Sequence, residues 1–296
     1  MSSVRLLEQY CAKWAEDEPK FWTVSPAQHL EELAGSAGIS LLAVLLAALV
    51  SSGAKRSPKV GASSSRSERI LGFFLASMFA VNFVNKLFVQ SMEFVQVIIE
   101  LTLLPCHVYT GISTYSLLST SSTARGPCYN LLLYCAWMPL LALVFPDLSS
   151  ARALSSRPLR LCSIGAFYAH HVVLLCTPVA LHHLAKAGRF AVPTGRGLGF
   201  LQYLSFIYAF VGVLLCGASL ALGRNLNYSL WPPPALPAAL LTFLGGSRYR
   251  LSIGGFLAFV MGPAMRYLVV PAASALVGGL ARCLGLEQRK MRAKRE

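Results

Sequence analysis

Acidic charge is almost absent from the long central part of this sequence. Between Glu68 and Glu287 there are only three acidic residues, Glu93, Glu100 and Asp147. A soluble domain of that length could not cover its surface with so few charges, because charged side chains make up about a quarter of an ordinary soluble protein. We therefore expect lipid to be the solvent for most of the chain.

Seven apolar runs follow one another along the sequence, each long enough to form a membrane-spanning helix. Roughly 20 residues at a rise of about 1.5 Å cross the roughly 30 Å of hydrocarbon in a bilayer. The runs lie at residues 35–53, 70–90, 94–119, 128–146, 160–184, 198–222 and 252–272. The sequence therefore predicts an all-α fold, a polytopic integral-membrane helical bundle of about seven spans, with six as the alternative.

The predicted transmembrane domain, residues 35–283, lies between two polar ends. Residues 1–34 form a polar segment, in which Ser25-Pro26 is typical of a helix start and predicts a short interfacial helix. Residues 284–296 form a basic tail. Because no apolar core follows a basic start, we expect no cleavable signal peptide, and the first span serves as the insertion signal.

The net charge of +14 is best explained by the membrane. Lysines and arginines lie mostly in short segments between the apolar runs and in the tail, where they orient spans and contact anionic headgroups. We therefore expect contact with the membrane and no binding of nucleic acid. The positive-inside rule predicts a cytosolic C-terminus and a lumenal N-terminus, as in the endoplasmic reticulum or another endomembrane. Arg266 is expected near the cytosolic end of the last span, within reach of headgroups.

The eight cysteines predict no disulfide framework. None forms a C-x-x-C pair and most fall inside apolar runs, which favours buried free thiols over a zinc site. The sequence also lacks a phosphate-binding glycine loop, an H-E-x-x-H and a G-x-S-x-G motif. We therefore predict no cofactor and no metal ligand.

The third apolar run carries a Pro-Cys-His motif at its middle. Pro105 removes a backbone donor, so it should bend the helix and make room for a polar site inside the membrane. Glu100 and His107 are seven residues apart on one face, with Cys106 beside them. Lys86, at the end of the second run, is placed to meet Glu100. A structural ion pair is the simpler interpretation and a catalytic or ion-coupling role the alternative.

The fifth run contributes His170 and His171. Cys106 lies twelve residues into its run and His171 eleven into its own, so on helices of the same direction they reach nearly equal depth. A thiol beside an imidazole can attack an ester, and the resulting thioester can pass its acyl chain to a hydroxyl. Thr110, or backbone groups freed by Pro105, are candidate oxyanion donors. Structural roles compete, because cysteine is a common packing residue in spans and histidine can serve in structure or a proton relay.

At these residues the chain resembles a known family, Transmembrane protein 164, a family of fatty acyltransferases. The resemblance covers roughly residues 70–270 and rests on the order and spacing of short motifs that are weak one by one. These motifs are LPCH at 104–107, LVFP at 143–146, FYAHHV at 167–172 with Pro178, NLN at 225–227 before Pro232, and MGP at 261–263 with Tyr267-Leu268.

The resemblance implies an acyl-cysteine mechanism, with Cys106 as nucleophile and His171 as catalytic histidine. It also implies that the substrates are phospholipids and lysophospholipids. Polyunsaturated acyl chains would be moved between them, and ether-linked phosphatidylethanolamines would be among the products. The predicted supporting or substrate-binding residues are His107, His170, Glu100, Lys86, Asn225 and Asn227. The chain departs from the family pattern at Asn82, where an acid is expected, and in a shortened polar stretch between Ser252 and Met261.

Four functions stay open on the residues alone. The first is an integral-membrane acyltransferase acting through Cys106 and His171, and the second is a lipid hydrolase with the same pair, in which water resolves the thioester. The third is a proton-coupled transporter that uses Lys86, Glu100 and the histidines, although no inverted repeat is visible. The fourth is a scaffold without chemistry.

Overall fold

The computed structural model describes residues 25–52, 65–89, 94–120, 122–186, 196–222, 239, 242 and 249–283. Every regular element in these ranges is a helix. Six helices are long and apolar enough to cross a membrane, and one bent pair brings the number to seven if it is taken as a span. The predicted all-α membrane bundle is therefore confirmed.

Among the described residues, the first half of the bundle contains six helices, with a π-helical turn at the end of the second. They are α1 (Pro26–Ser52), α2 (Arg66–Val84, continued by the turn Asn85–Val89), α3 (Phe94–Leu103), α4 (Pro105–Leu118), α5 (Ser122–Cys135) and α6 (Trp137–Val144).

The part of the second half that the structure describes contains one short helix, one long helix and two composite spans with π-helical segments. They are α7 (Ser149–Arg152), α8 (Arg157–Lys186), α9 (Arg196–Ile207) with the π segment Tyr208–Leu215, α10 (Cys216–Leu222), α11 (Tyr249–Phe256) with the π segment Leu257–Met261, α12 (Gly262–Ala264) with the π segment Met265–Val269, and α13 (Val270–Cys283).

The outer surface of the bundle is apolar. On α1, the side chains of Leu41, Leu42, Leu45 and Leu49 are each more than half exposed. A run of large exposed side chains of this kind is unfavourable in water and is the expected surface for contact with acyl chains. The location of these leucines supports the membrane assignment independently of helix length.

Helix α1 differs from its prediction in length. Its start is as predicted, since the Gln28 amide donates to the Ser25 hydroxyl at 3.2 Å. The helix then continues without a break to Ser52, so the segment predicted as a short interfacial helix is continuous with the first span. The reason is tertiary: Glu32 is buried and forms an ion pair with Arg250 of α11, which keeps the polar turns of α1 inside the bundle. The remaining terminal residues, 1–24 and 284–296, lie outside the described residues.

The centre of the bundle is an aromatic cluster that joins three spans. The rings of Tyr134 and Tyr203 stack with their centroids 4.7 Å apart. The Trp137 indole donates to the Tyr203 hydroxyl at 3.0 Å, and that hydroxyl donates to the Leu257 carbonyl at 2.6 Å. These buried hydrogen bonds satisfy the polar atoms of the cluster, so large rings can fill the core without an energetic penalty.

Two features of the spans depend on where helices break. The axes of α3 and α4 differ by 65° at Pro105, which confirms the predicted bend. The last span does not end at residue 272 but continues to Leu280, because the apolar pattern persists through most of α13, which ends at Cys283. Arg266 therefore lies near the middle of the span Arg250–Leu280, and the prediction that it lies near the cytosolic end is wrong.

A buried ion pair fastens α2 to the start of α5. Arg125 and Glu68 are 2.5 Å apart with both side chains 1% exposed, and the Arg125 Nε donates to the Ser116 carbonyl at 3.0 Å. Glu68 also completes a capping box with Ser65 at the start of α2. The sequence suggested that Arg125 was one of the residues orienting the spans, whereas in the structure it is an internal cross-link at the end of α4.

We expect removal of one charge from this pair to destabilise the fold by about 3–5 kcal/mol, because the other charge is left buried and uncompensated. Glu68→Gln removes the negative charge alone, because glutamine can still complete the capping box. The measurement is unfolding of the purified protein in detergent, with exposed Arg69→Gln as control. Addition of Arg125→Met to Glu68→Gln should recover much of the loss. A single variant no less stable than the control would show that the pair contributes nothing.

Candidate functional site

Cys106 lies in the first turn of α4. Leu104 has an extended backbone and Pro105 occupies the first helical position, so a new helix begins at the proline. The amides of His107 and Val108 both donate to the Leu104 carbonyl, at 2.9 and 3.0 Å. The N-terminal end of a helix carries partial positive charge, which stabilises negative charge on a nearby atom. The bend therefore also creates an environment that favours anionic sulfur.

Helices α2, α4 and α8 meet around His170, which is buried. The Asn82 Nδ2 of α2 lies 3.1 Å from the His170 Nδ1, and the Thr110 Oγ1 of α4 lies 3.0 Å from its Nε2. The Thr110 hydroxyl also donates to the Cys106 carbonyl at 2.7 Å. The turn that carries Cys106 and the turn that carries the two histidines therefore lie side by side, with no helix between them.

The direction of each hydrogen bond from Asn82 through His170 and Thr110 follows from the acceptor at the end of the row, the Cys106 carbonyl. The Cys106 carbonyl can only accept, so the single Thr110 proton is directed to it and the Thr110 oxygen accepts from His170 Nε2–H. A neutral His170 protonated at Nε2 has an unprotonated Nδ1, which accepts from the Asn82 amide. Both ring nitrogens of His170 are therefore occupied, and the residue is suited to holding α4 in place rather than to moving protons.

His171 is arranged in the opposite way. Its Nδ1 lies 2.7 Å from the Phe167 carbonyl, and because a carbonyl only accepts, Nδ1 carries the proton. Its Nε2 is then an unprotonated acceptor, and within the described part of the chain it is buried without a hydrogen-bond partner. The side chain as a whole is only 3% exposed. A buried polar atom left unpaired is unusual and calls for an explanation such as a catalytic role.

Aromatic contacts surround the histidines. The His107 ring stacks on the His170 ring at 6.3 Å between centroids, and Phe79 meets His107 edge-on at 5.8 Å. Phe167 lies against His171 with the ring centroids 4.2 Å apart. These rings fix the orientation of both imidazoles and exclude water from the site.

The structure brings four of the predicted site residues together and leaves the others apart or undescribed. Cys106, His107, His170 and His171 all belong to the junction of α4 and α8. Lys86 lies in the π-helical turn after α2. Glu100 belongs to α3, but its side chain lies outside the described part, so its predicted meeting with Lys86 stays a prediction. The other two predicted residues, Asn225 and Asn227, also lie outside the described residues.

Two contacts were not predicted from the sequence. Asn82 was noted only as a departure from the family pattern, whereas in the structure its amide is a partner of His170. The one proton of Thr110, a candidate oxyanion donor, is engaged by the Cys106 carbonyl, and the oxyanion donor stays a prediction. Among the described residues, no three His, Cys, Asp or Glu side chains are grouped to hold a metal ion.

Comparison with known families gives a match that covers the helices of both Cys106 and His171. The sequence model of the TMEM164 family matches residues 24–265, a range that includes Cys106 and His171. This chain belongs to the TMEM164 family. The family match thus confirms the resemblance suggested by the short motifs.

A curated relative is the protein named Transmembrane protein 164 homolog of Dictyostelium discoideum. It is 27% identical over 169 residues, which are 56% of this chain and 54% of the relative. The chain thus aligns with about half the length of that relative. No solved structure matches this chain.

Proposed function

We propose that this TMEM164-family chain is an integral-membrane acyltransferase that moves fatty acyl chains between phospholipids through a thioester on Cys106. The observation that carries the proposal is the Nε2 atom of His171, which is buried and has no hydrogen-bond partner among the described residues. It belongs to the helix junction that also holds Cys106, whose Pro-Cys-His motif begins a new helix. A lone pair fixed in this way is suited to accept a thiol proton.

The first half of the reaction transfers the acyl chain to the enzyme. The Cys106 sulfur attacks the ester carbonyl of a donor phospholipid, and its proton passes to the His171 Nε2. As the tetrahedral adduct collapses, the bond from carbon to the glycerol oxygen breaks. The proton returns from His171 to that oxygen, so a lysophospholipid leaves and a thioester remains.

The second half reverses these steps with a new acceptor. The hydroxyl of a lysophospholipid gives its proton to His171 Nε2 and its oxygen attacks the thioester carbonyl. The carbon–sulfur bond breaks, the sulfur recovers the proton, and a new diacyl lipid leaves. Every atom and proton is accounted for by the two side chains and two lipids, so the reaction needs no cofactor.

The surrounding residues support this chemistry in two ways. The first turn of α4 stabilises negative charge that develops on the Cys106 sulfur. The chain of hydrogen bonds through Asn82, His170 and Thr110 holds that turn at a fixed position against α8. Preorganised positioning of this kind is the main requirement for an enzyme whose reacting groups are two side chains.

The proposal is tested with the purified full chain and two defined lipids. The donor is phosphatidylcholine with an isotope-labelled polyunsaturated chain, and the acceptor is lysophosphatidylethanolamine. We expect labelled phosphatidylethanolamine, together with a thioester of the labelled chain on the Cys106 peptide that mass spectrometry detects and hydroxylamine removes. Labelled free fatty acid without diacyl product would identify a hydrolase. The absence of both adduct and product would overturn the thioester mechanism.

A further inference from the structure

Arg266 is a cation near the middle of the last span. Its position in the span Arg250–Leu280 leaves roughly 20 Å of helix on each side, at about 1.5 Å per residue. Its guanidinium lies among aromatic side chains of the bundle, where a charge is costly unless it finds partners.

Three tyrosine rings surround the Arg266 guanidinium. Its central carbon lies 5.9, 5.8 and 5.8 Å from the ring centroids of Tyr129, Tyr134 and Tyr267. We call these four residues the tyrosine cage. The Tyr134 and Tyr267 hydroxyls are 2.9 Å apart, and the Arg266 Nε is buried without a hydrogen-bond partner among the described residues. The cage thus offers a cation, an unused N–H and phenol groups in one place.

Two other arginines of the described spans have carboxylate partners. Arg125 pairs with Glu68 and Arg250 pairs with Glu32. Arg266 has no such partner within the ranges that the structure describes, although a charge near the middle of a bilayer is costly unless it meets an opposite charge. Aromatic faces compensate it only in part. The missing negative charge is therefore expected to come from a ligand.

Helix α4, which carries the proposed nucleophile, is hydrogen-bonded to the helix that carries Tyr134 of the cage, and the cage reaches the lipid-facing surface. Tyr109, one turn after Cys106, donates its hydroxyl proton to the Leu132 carbonyl at 3.0 Å, and Leu132 is two residues before Tyr134 of the cage. On the other side, Tyr267 is 47% exposed and Leu268 is 68% exposed on the apolar surface of the bundle. A lipid in the bilayer can therefore reach the tyrosine cage from the side.

We propose that the tyrosine cage, through Arg266 at its centre, binds the phosphodiester of a glycerophospholipid and so forms the headgroup subsite of the enzyme. Assignment of the bound lipid as the substrate rests on the proposed acyl transfer, whereas binding itself does not. A site that cleaves an ester within the membrane must draw the headgroup inward with the ester. A guanidinium forms strong, directional hydrogen bonds to phosphate oxygens. Of the Tyr134 and Tyr267 hydroxyls, which bond to each other, one keeps a proton that it can donate to a further phosphate oxygen, whereas the Tyr129 hydroxyl lies 2.8 Å from His182 Nδ1.

Binding is measured on the purified full chain carrying Cys106→Ala, by native mass spectrometry with phosphatidylethanolamine or with diacylglycerol of the same acyl chains. Because this chain cannot turn over, failure of the acyl-transfer proposal leaves the binding result intact. We expect phosphatidylethanolamine to bind at least about tenfold more tightly than diacylglycerol, and Arg266→Gln to remove that preference. Exposed Arg282→Gln, in the last turn of the same span, should leave it unchanged. Inorganic phosphate should not displace the lipid, because it lacks the acyl chains that anchor it.

Three results would overturn the assignment. Equal binding of the two lipids by the chain with Arg266 intact would exclude a phosphate subsite without any further variant. Full preference in Arg266→Gln would assign the arginine a structural role. Displacement by inorganic phosphate would identify a site for a soluble anion. If Arg266→Gln does not fold, Arg266→Lys takes its place, because lysine keeps the charge but loses the fork of donors. A reduced or lost preference for phosphatidylethanolamine in this variant would support the subsite, and a full preference would overturn it.

Discussion

Replacing Cys106 with alanine is expected to lower acyl transfer by at least about 10³-fold, because the covalent route through the thiol is lost. The thioester adduct should vanish with the activity. The side chain is small and only partly buried, so the variant should fold and express normally. The measurement is the rate of labelled chain transfer by purified protein, supported by lipid profiling of cells that carry either form.

The matched control for this variant is Cys176→Ala. Cys176 is exposed on the surface of α8, in a span but outside the junction of helices that holds His170. It should keep wild-type activity, which separates loss of the nucleophile from loss of any membrane thiol. Retention of transfer by Cys106→Ala, or an adduct that remains in it, would exclude Cys106 as the acyl carrier.

Replacing His171 with glutamine is expected to lower the rate by about 10²–10⁴-fold, the usual contribution of a general base. Glutamine retains a polar group of similar reach but cannot take a proton from the thiol. Formation of the thioester and its transfer to acceptor should both slow, since His171 serves in each step. Rates of adduct formation and decay, measured separately in single-turnover experiments, check this expectation.

Two other histidines of α8 serve as controls that distinguish the loss of His171 from the loss of any histidine in the helix. His183→Gln, at an exposed position near the end of α8, should leave both rates unchanged. His170→Gln should lower thermal stability because the bonds to Asn82 and Thr110 are lost, with a smaller effect on rate than His171→Gln. A larger loss of rate in His170→Gln than in His171→Gln at equal stability would assign the base to the other ring.

The site illustrates why sequence reasoning reached some residues and not others. The depth of Cys106 and of His171 follows from counting residues along two helices of fixed rise, and the bend follows from the missing amide of Pro105. The partner of each ring nitrogen does not follow from counting. It depends on the rotation of α2, α4 and α8 about their axes, which is set by packing between residues far apart in the chain. Asn82 is 88 residues from His170, and nothing in its local sequence indicates that contact.

The arginines make the same point for charge. Lys and Arg counts between apolar runs are informative about orientation only if the side chains reach the headgroups. Arg125 instead faces Glu68 inside the bundle, and Arg266 lies among tyrosines near the middle of its span. Both positions depend on where helices begin and end in three dimensions, which a hydropathy pattern defines only approximately.

The sequence by itself determined the solvent, the helical class, the approximate spans, the bend at Pro105 and the family. Each of these is encoded locally, because bilayer thickness sets the length of an apolar run and a proline lacks its amide wherever it stands. The tertiary structure alone decided the hydrogen-bond partners of the two adjacent histidines, the partner of Asn82 and the surroundings of Arg266. Those features arise from side chains on different helices, and only their packing brings one helix face against another.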